Sequence, residues 1–281
     1  MLLAASPLVL SAPGLSSSTT SQPPIGIGVS PQGSLCSDLS EYQSLNGAGW
    51  YYNWGLTPSE FDECDGVPQT EFIPQFWGRN SMDDYDDTFL KLDTTTMMFS
   101  FNEPDNDGQS DLEPAEAAAL WPTLEDIAQK YDLELVAPCV TNANKGRPWL
   151  EQFFANCSNN GSGECAYDYS CMHSYSSRTS AASGDFIGNI EAMHASFPSE
   201  GGIIVNEFAC AETVDGVWSI CDFDANLSFM QDAVPALLES ESVARFAWFA
   251  TRPSKGSRLF DEDEVGLNTL GQQYRTYIDG Q

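Results

Sequence analysis

The chain has 281 residues, 42% of them hydrophobic and 12% aromatic, and a net charge of −30 from 41 acidic against 11 basic side chains. That length and apolar content suit one large folded domain and exclude global disorder, and no apolar run approaches the ~18 residues a membrane span needs. The acidic surface repels nucleic acid and anionic membranes, so a neutral partner is expected; most of the charge reads as a solvated coat.

Residues 1–24 read as a leader. An apolar stretch at 2–10 has no basic residue ahead of it, and a Ser/Thr/Pro-rich segment without packing signals follows. From residue 25 to 281 the chain reads as one catalytic domain. Apolar strands are expected at 25–29, 49–52, 72–77, 97–101, 133–139, 167–172, 203–205 and 245–249, their starts separated by roughly 23 to 42 residues, the size of one βα unit. Helices are expected at 116–131, 185–197 and 222–238. Pro114 and Pro148 are placed in first turns, where a missing N–H is harmless; Pro122 should kink one helix and Pro235 break another. Eight such units predict an α/β fold, a single (β/α)8 TIM barrel, in which the carboxyl ends of the strands carry the chemistry.

Two apolar runs end in an Asn-Glu pair: Phe99-Ser100-Phe101-Asn102-Glu103 and Ile203-Ile204-Val205-Asn206-Glu207. They fall on the fourth and seventh strands, whose ends can face each other across a barrel mouth. Two glutamates so presented fit glycoside hydrolysis, one protonating the leaving oxygen and the other attacking the sugar or activating water. Glu103 and Glu207 are the candidate catalytic pair. Asn102 is suited to bond a sugar hydroxyl, Tyr175 to hold the nucleophile, and His173 to donate to the same cluster. Flat aromatics at strand ends can pack on sugar faces; Trp77 and Trp248 are the expected cleft residues, with Tyr52 and Asn53 completing the substrate-binding set.

Eight cysteines point to an oxidising compartment. Cys157 with Cys165, and Cys210 with Cys221, read as local staples. Cys36 and Cys64 bracket the second strand as a further candidate pair, and Cys139 and Cys171 are either bonded or buried thiols. Asn-x-Ser triplets at Asn156, Asn160 and Asn226 agree with a secreted glycoprotein. With two histidines and no CxxC, no zinc or other cofactor is expected.

The strings Trp50-Tyr51-Tyr52-Asn53-Trp54, Phe72-Ile73-Pro74-Gln75-Phe76-Trp77-Gly78, Phe101-Asn102-Glu103-Pro104-Asp105, His173-Ser174-Tyr175, Asn206-Glu207-Phe208-Ala209-Cys210 and Ala247-Trp248-Phe249-Ala250 resemble glycoside hydrolase family 128, over roughly residues 25–278. The resemblance implies a (β/α)8 barrel and a secreted endo-β-1,3-glucanase of retaining mechanism, with Glu103 as acid/base, Glu207 as nucleophile, and Asn102, Tyr175 and Trp248 lining the cleft. Its partner would be a β-glucan, acted on by a monomer. A tryptophan common in relatives between His173 and Tyr175 is replaced here by Ser174. A β-glucan-binding protein with little turnover, or a hydrolase of another β-glycan, is the alternative.

Overall fold

The computed structural model describes residues 24–30, 45–58, 70–83, 95–159, 164–252, 255–261 and 266–281. The expectations for the leader, for Cys36 and Cys64, and for Asn160 lie outside them. In chain order the elements are β1 (Ile25–Gly28), β2 (Trp50–Tyr52), β3 (Glu71–Phe72), α1 (Arg79–Asp83), β4 (Met97–Phe99), α2 (Pro114–Tyr131), β5 (Glu134–Val136), α3 (Ala143–Asn159), β6 (Ser170–Ser176), α4 (Ser180–Ser183), α5 (Asp185–Ser196), β7 (Ile203–Val214), β8 (Val217–Ile220), α6 (Phe223–Glu239), β9 (Val243–Trp248) and α7 (Thr269–Ile278).

Parallel ladders run β3-β2-β1-β9-β7-β6, and a second parallel pair is β4-β5. Isolated parallel bridges join the two sheets on both sides: Gln75 to Phe99, and Val136 to Tyr169 with Val140 to Met172. Neighbours around the ring therefore follow chain order, with described helices in the connections from β3 onward, as in a (β/α)8 barrel. β3 is short because Pro74 has no N–H for the ladder; its carbonyl accepts instead from Phe99 N–H at 2.9 Å.

Strand alternation sorts the side chains into two cores. Trp50, Tyr52, Ile73, Phe99, Val136 and Ile204 form one buried cluster inside the ring. Tyr51, Phe72, Phe208 and Phe246 belong to the larger cluster shared with the helices. Gly26 dilutes the apolar run of β1 for a packing reason: a Cβ there would lie 2.1 Å from the Trp50 ring. The buried Glu71–Arg245 ion pair, 2.6 Å long, ties β3 to β9.

Several local expectations need correction. Helix α3 begins at Ala143, so Pro148 lies inside it rather than in its first turn. The start signal is Asn142, whose Oδ1 accepts from the backbone N–H groups of Asn144 and Lys145. Helix α6 runs through Pro235 without the expected break, and α2 likewise continues past Pro122. Each proline forfeits one hydrogen bond, and buried side chains on both sides (Trp121 and Leu124; Val234 and Leu237) hold the helix against that loss. β8 was not expected at all; it pairs antiparallel with the extended end of β7. Disulfides join Cys139 to Cys171, Cys157 to Cys165 and Cys210 to Cys221. Asn226 is fully buried and bonds the backbone of Cys210 and Cys221, so this triplet cannot take a glycan in the folded chain.

Candidate active site

Glu103 follows β4 in a turn. Its backbone is left-handed, with φ 42°, and its N–H donates to the Cys139 carbonyl at 2.8 Å. Glu207 sits within β7 rather than at its end, level with His173 on β6. Both β7 ladders are irregular near it: the pairing with β6 shifts between Cys171 and His173, and that with β9 between Val205 and Phe208. Such bulges re-aim side chains.

His173 joins the two carboxylates. Its Nδ1 lies 2.8 Å from Glu103 Oε1 and 3.3 Å from Glu207 Oε2. The ring is buried, and Nε2 has no hydrogen-bond partner among the described residues, so the proton it shares lies on the Nδ1 side. Tyr175 O–H donates to Glu207 Oε2 and Trp54 Nε1–H to Glu207 Oε1, each at 2.6 Å. Asn106 donates to Glu103 Oε2 at 2.9 Å. Carboxylate oxygens of Glu103 and Glu207 and a nitrogen of His173 all lie within 4.8 Å of one another. This trio has ligand types for a metal, yet every carboxylate oxygen already accepts a protein hydrogen bond, a donor set arranged for anions rather than for a cation.

Burial would raise Glu103, but the hydrogen bond and charge of His173, the Asn106 bond and the Lys145 charge hold it below the ordinary carboxylate range. Burial raises Glu207; the Glu103 charge adds to that, and His173, Tyr175 and Trp54 only partly oppose it. Burial would lower His173, but the charge of Glu207 and the contact with Glu103 prevail and raise it.

A cleft of about 860 Å3 opens over these groups. Asn102, Glu103, Glu207, Tyr175 and Trp77 line it, as expected. His173 lies just beneath, hydrogen-bonded to Glu103 and within ion-pair distance of Glu207. The other expected residues lie elsewhere. Trp248 is fully buried among Phe208 and Phe229, its Nε1–H bonded to the Ser257 carbonyl at 2.6 Å. The neighbouring Phe249 lines the cleft instead. Tyr52 belongs to the barrel interior and donates to the Asn206 carbonyl at 2.6 Å. Asn53 shapes a turn, accepting from Gly55 N–H and donating to Thr57. Ser174 is buried and alternates away from His173 and Tyr175, so its small size does not alter the cleft wall. The sequence reading missed Trp54, Asn106, Lys145 and Trp218. Asn106 stands three residues beyond Glu103, and Trp54 ends an aromatic string, but its φ of 61° breaks the alternation that would have shown its direction.

A parallel eight-stranded ring with paired glutamates at its carboxyl-end cleft defines a glycoside hydrolase. The family model for the glycosyl hydrolase catalytic core matches residues 28–274, and the chain belongs to that family. Among solved structures it is similar to family 128 enzymes. An endo-β-1,3-glucanase of subgroup II from Sorangium cellulosum is 26% identical with a TM-score of 0.68, over 84% of this chain and 93% of that one. One of subgroup II from Pseudomonas viridiflava is 25% identical with a TM-score of 0.69, over 89% and 96%. One of subgroup I from Amycolatopsis mediterranei, in complex with laminaritriose, is 24% identical with a TM-score of 0.72, over 90% and 98%, and this likeness speaks for the fold. No curated protein matches by sequence.

Proposed function

We propose that the protein is a retaining endo-β-1,3-glucanase. The observation that carries the reading is the Glu103–His173–Glu207 trio. Facing carboxylate oxygens within 4.8 Å of one another favour the ~5–5.5 Å separation of double displacement over the ~6.5–9.5 Å of an inverting site. The β-1,3-glucan specificity is carried over from the family 128 relatives.

Glu207, held by Tyr175 and Trp54, attacks the anomeric carbon. Glu103 protonates the departing oxygen, then takes a proton from water as the glycosyl-enzyme is released. Before sugar binds, the shared proton rests on His173, which keeps Glu103 ionised. A sugar that excludes water favours the neutral pair, and the proton crosses the 2.8 Å hydrogen bond from Nδ1 to Glu103 Oε1. Asn102 and Trp77 hold the substrate. The reaction draws on no cofactor. The three disulfides among the described residues favour action outside the cell.

The test is reducing-end release from laminarin, with the anomer of the first product followed by NMR. The β anomer and a mixture of oligosaccharides are expected, and Glu207→Gln should remove the activity while leaving the fold unchanged. An α first product, or near-wild-type hydrolysis by that variant, overturns the reading.

A further inference from the structure

Strand β7 continues past Glu207 and returns as β8 through the two-residue turn Asp215-Gly216, both in left-handed conformation. Among the described residues, the large apolar side chains that stand exposed are Val214, Val217 and Trp218, at 59%, 67% and 57%, and all lie on this hairpin. Pairing is Ala211 with Ile220, Glu212 with Ser219, Thr213 with Trp218, and Val214 with Val217. Alternation therefore gives the hairpin two faces. Thr213, Trp218 and Ile220 share the one that lines the cleft. Val214, Val217 and Glu212 share the other.

The hairpin is fixed in place. The Cys210–Cys221 disulfide closes its base, and buried Asn226 bonds both cysteines' backbones. On the outer face Arg178 grips Glu212, with Nη2 2.9 Å and Nε 3.0 Å from its oxygens. On the inner face the Trp218 ring meets Tyr175 edge-on, with centroids 5.6 Å apart and planes at 87°. Tyr175 touches both Trp218 and Glu207, so the indole lies one side chain removed from the carboxylate.

We infer that the inner face of the β7–β8 hairpin is a binding subsite for a glucosyl unit beyond the cleavage point, with Trp218 as its platform and a specificity-determining residue for chain length. This rests on the reading of the cleft as a β-1,3-glucanase. A half-exposed indole on a braced hairpin keeps an apolar plane in water, and the C–H face of a pyranose is the ligand that covers such a plane while its hydroxyls stay wet. Thr213, directly opposite on the same face, offers a hydroxyl at the ring's edge. Continuity with the cleft selects the occupant: a chain leaving the catalytic groups past Tyr175 meets Trp218 next.

The test compares wild type, Trp218→Ala and Trp218→Phe on β-1,3-gluco-oligosaccharides of graded length and on laminarin. In the alanine variant kcat/KM on long chains should fall roughly tenfold relative to short ones, mainly through KM, the factor that burying on the order of 55 Å2 of apolar surface gives. The phenylalanine variant should recover most of that ratio. Equal loss at every length, a moved pH profile (action through Tyr175 on Glu207) or no loss overturns the proposal while the glucanase reading stands. A wild-type protein that leaves every β-1,3-glucan intact overturns both.

Discussion

Replacing Tyr175 by Phe tests the electrostatics of the site most directly. The substitution removes only the hydroxyl that donates to Glu207 Oε2 at 2.6 Å; the ring's contacts with Trp218 and Phe249 are kept. A hydrogen bond to a buried carboxylate favours its ionised form, and such bonds contribute about 1.5–3 kcal/mol. At about 1.36 kcal/mol per pKa unit, losing this one raises the nucleophile's pKa by about one to two units. Burial already raises Glu207, so the change adds to an existing upward displacement. Protonated Glu207 cannot attack, and the acidic limb of kcat/KM should move to higher pH by that amount. Well above the limb, this cause leaves the rate little changed. The measurement is initial reducing-end release from laminarin across pH at constant ionic strength, with unfolding followed in parallel. An acidic limb that stays in place would refute the assignment of Tyr175 as the group holding Glu207 ionised.

Three further outcomes are expected. Glu103→Gln should lower laminarin hydrolysis roughly 10²–10⁴-fold but cost far less on an aryl β-glucoside, whose leaving group needs no proton; equal losses on both would remove Glu103 from the acid role. His173 is raised by its two glutamates and so keeps its proton to higher pH than an ordinary imidazole; His173→Asn should move the alkaline limb to lower pH, and an unmoved limb contradicts proton sharing in the trio. Arg245→Met strands the buried Glu71 carboxylate and should cost about 3–5 kcal/mol in urea unfolding, an effect absent if the pair is not buried and intact.

Much of the architecture is legible in local pattern. Apolar runs at βα spacing locate all eight barrel strands, and the Asn-Glu pairs that follow two of them mark Glu103 and Glu207 as candidates. The β7–β8 hairpin is missed, although Asp215-Gly216 between Val214 and Val217 is a strong hairpin dipeptide, because it sits where a βα loop is expected. Trp248 and Phe249 show a different limit. Adjacent strand residues point to opposite faces, so one of them had to face the cleft, but only the pairing of β9 with β1 and β7 settles which. Tyr52 went inward for the same reason. The triplet at Asn226 looks like a surface signal, and only packing reveals its burial.

The sequence by itself determined the class of fold, the candidate glutamate pair and two local cysteine pairs, because burial periodicity and residue chemistry are properties of short segments. Tertiary structure decided which atoms meet. His173 bonds a carboxylate 70 residues away, Trp54 reaches Glu207 across 153 residues, and Cys139 joins Cys171 because their strands are neighbours in the ring. Those contacts depend on barrel closure and on the bulges that aim the side chains, and neither is encoded in any one stretch of chain.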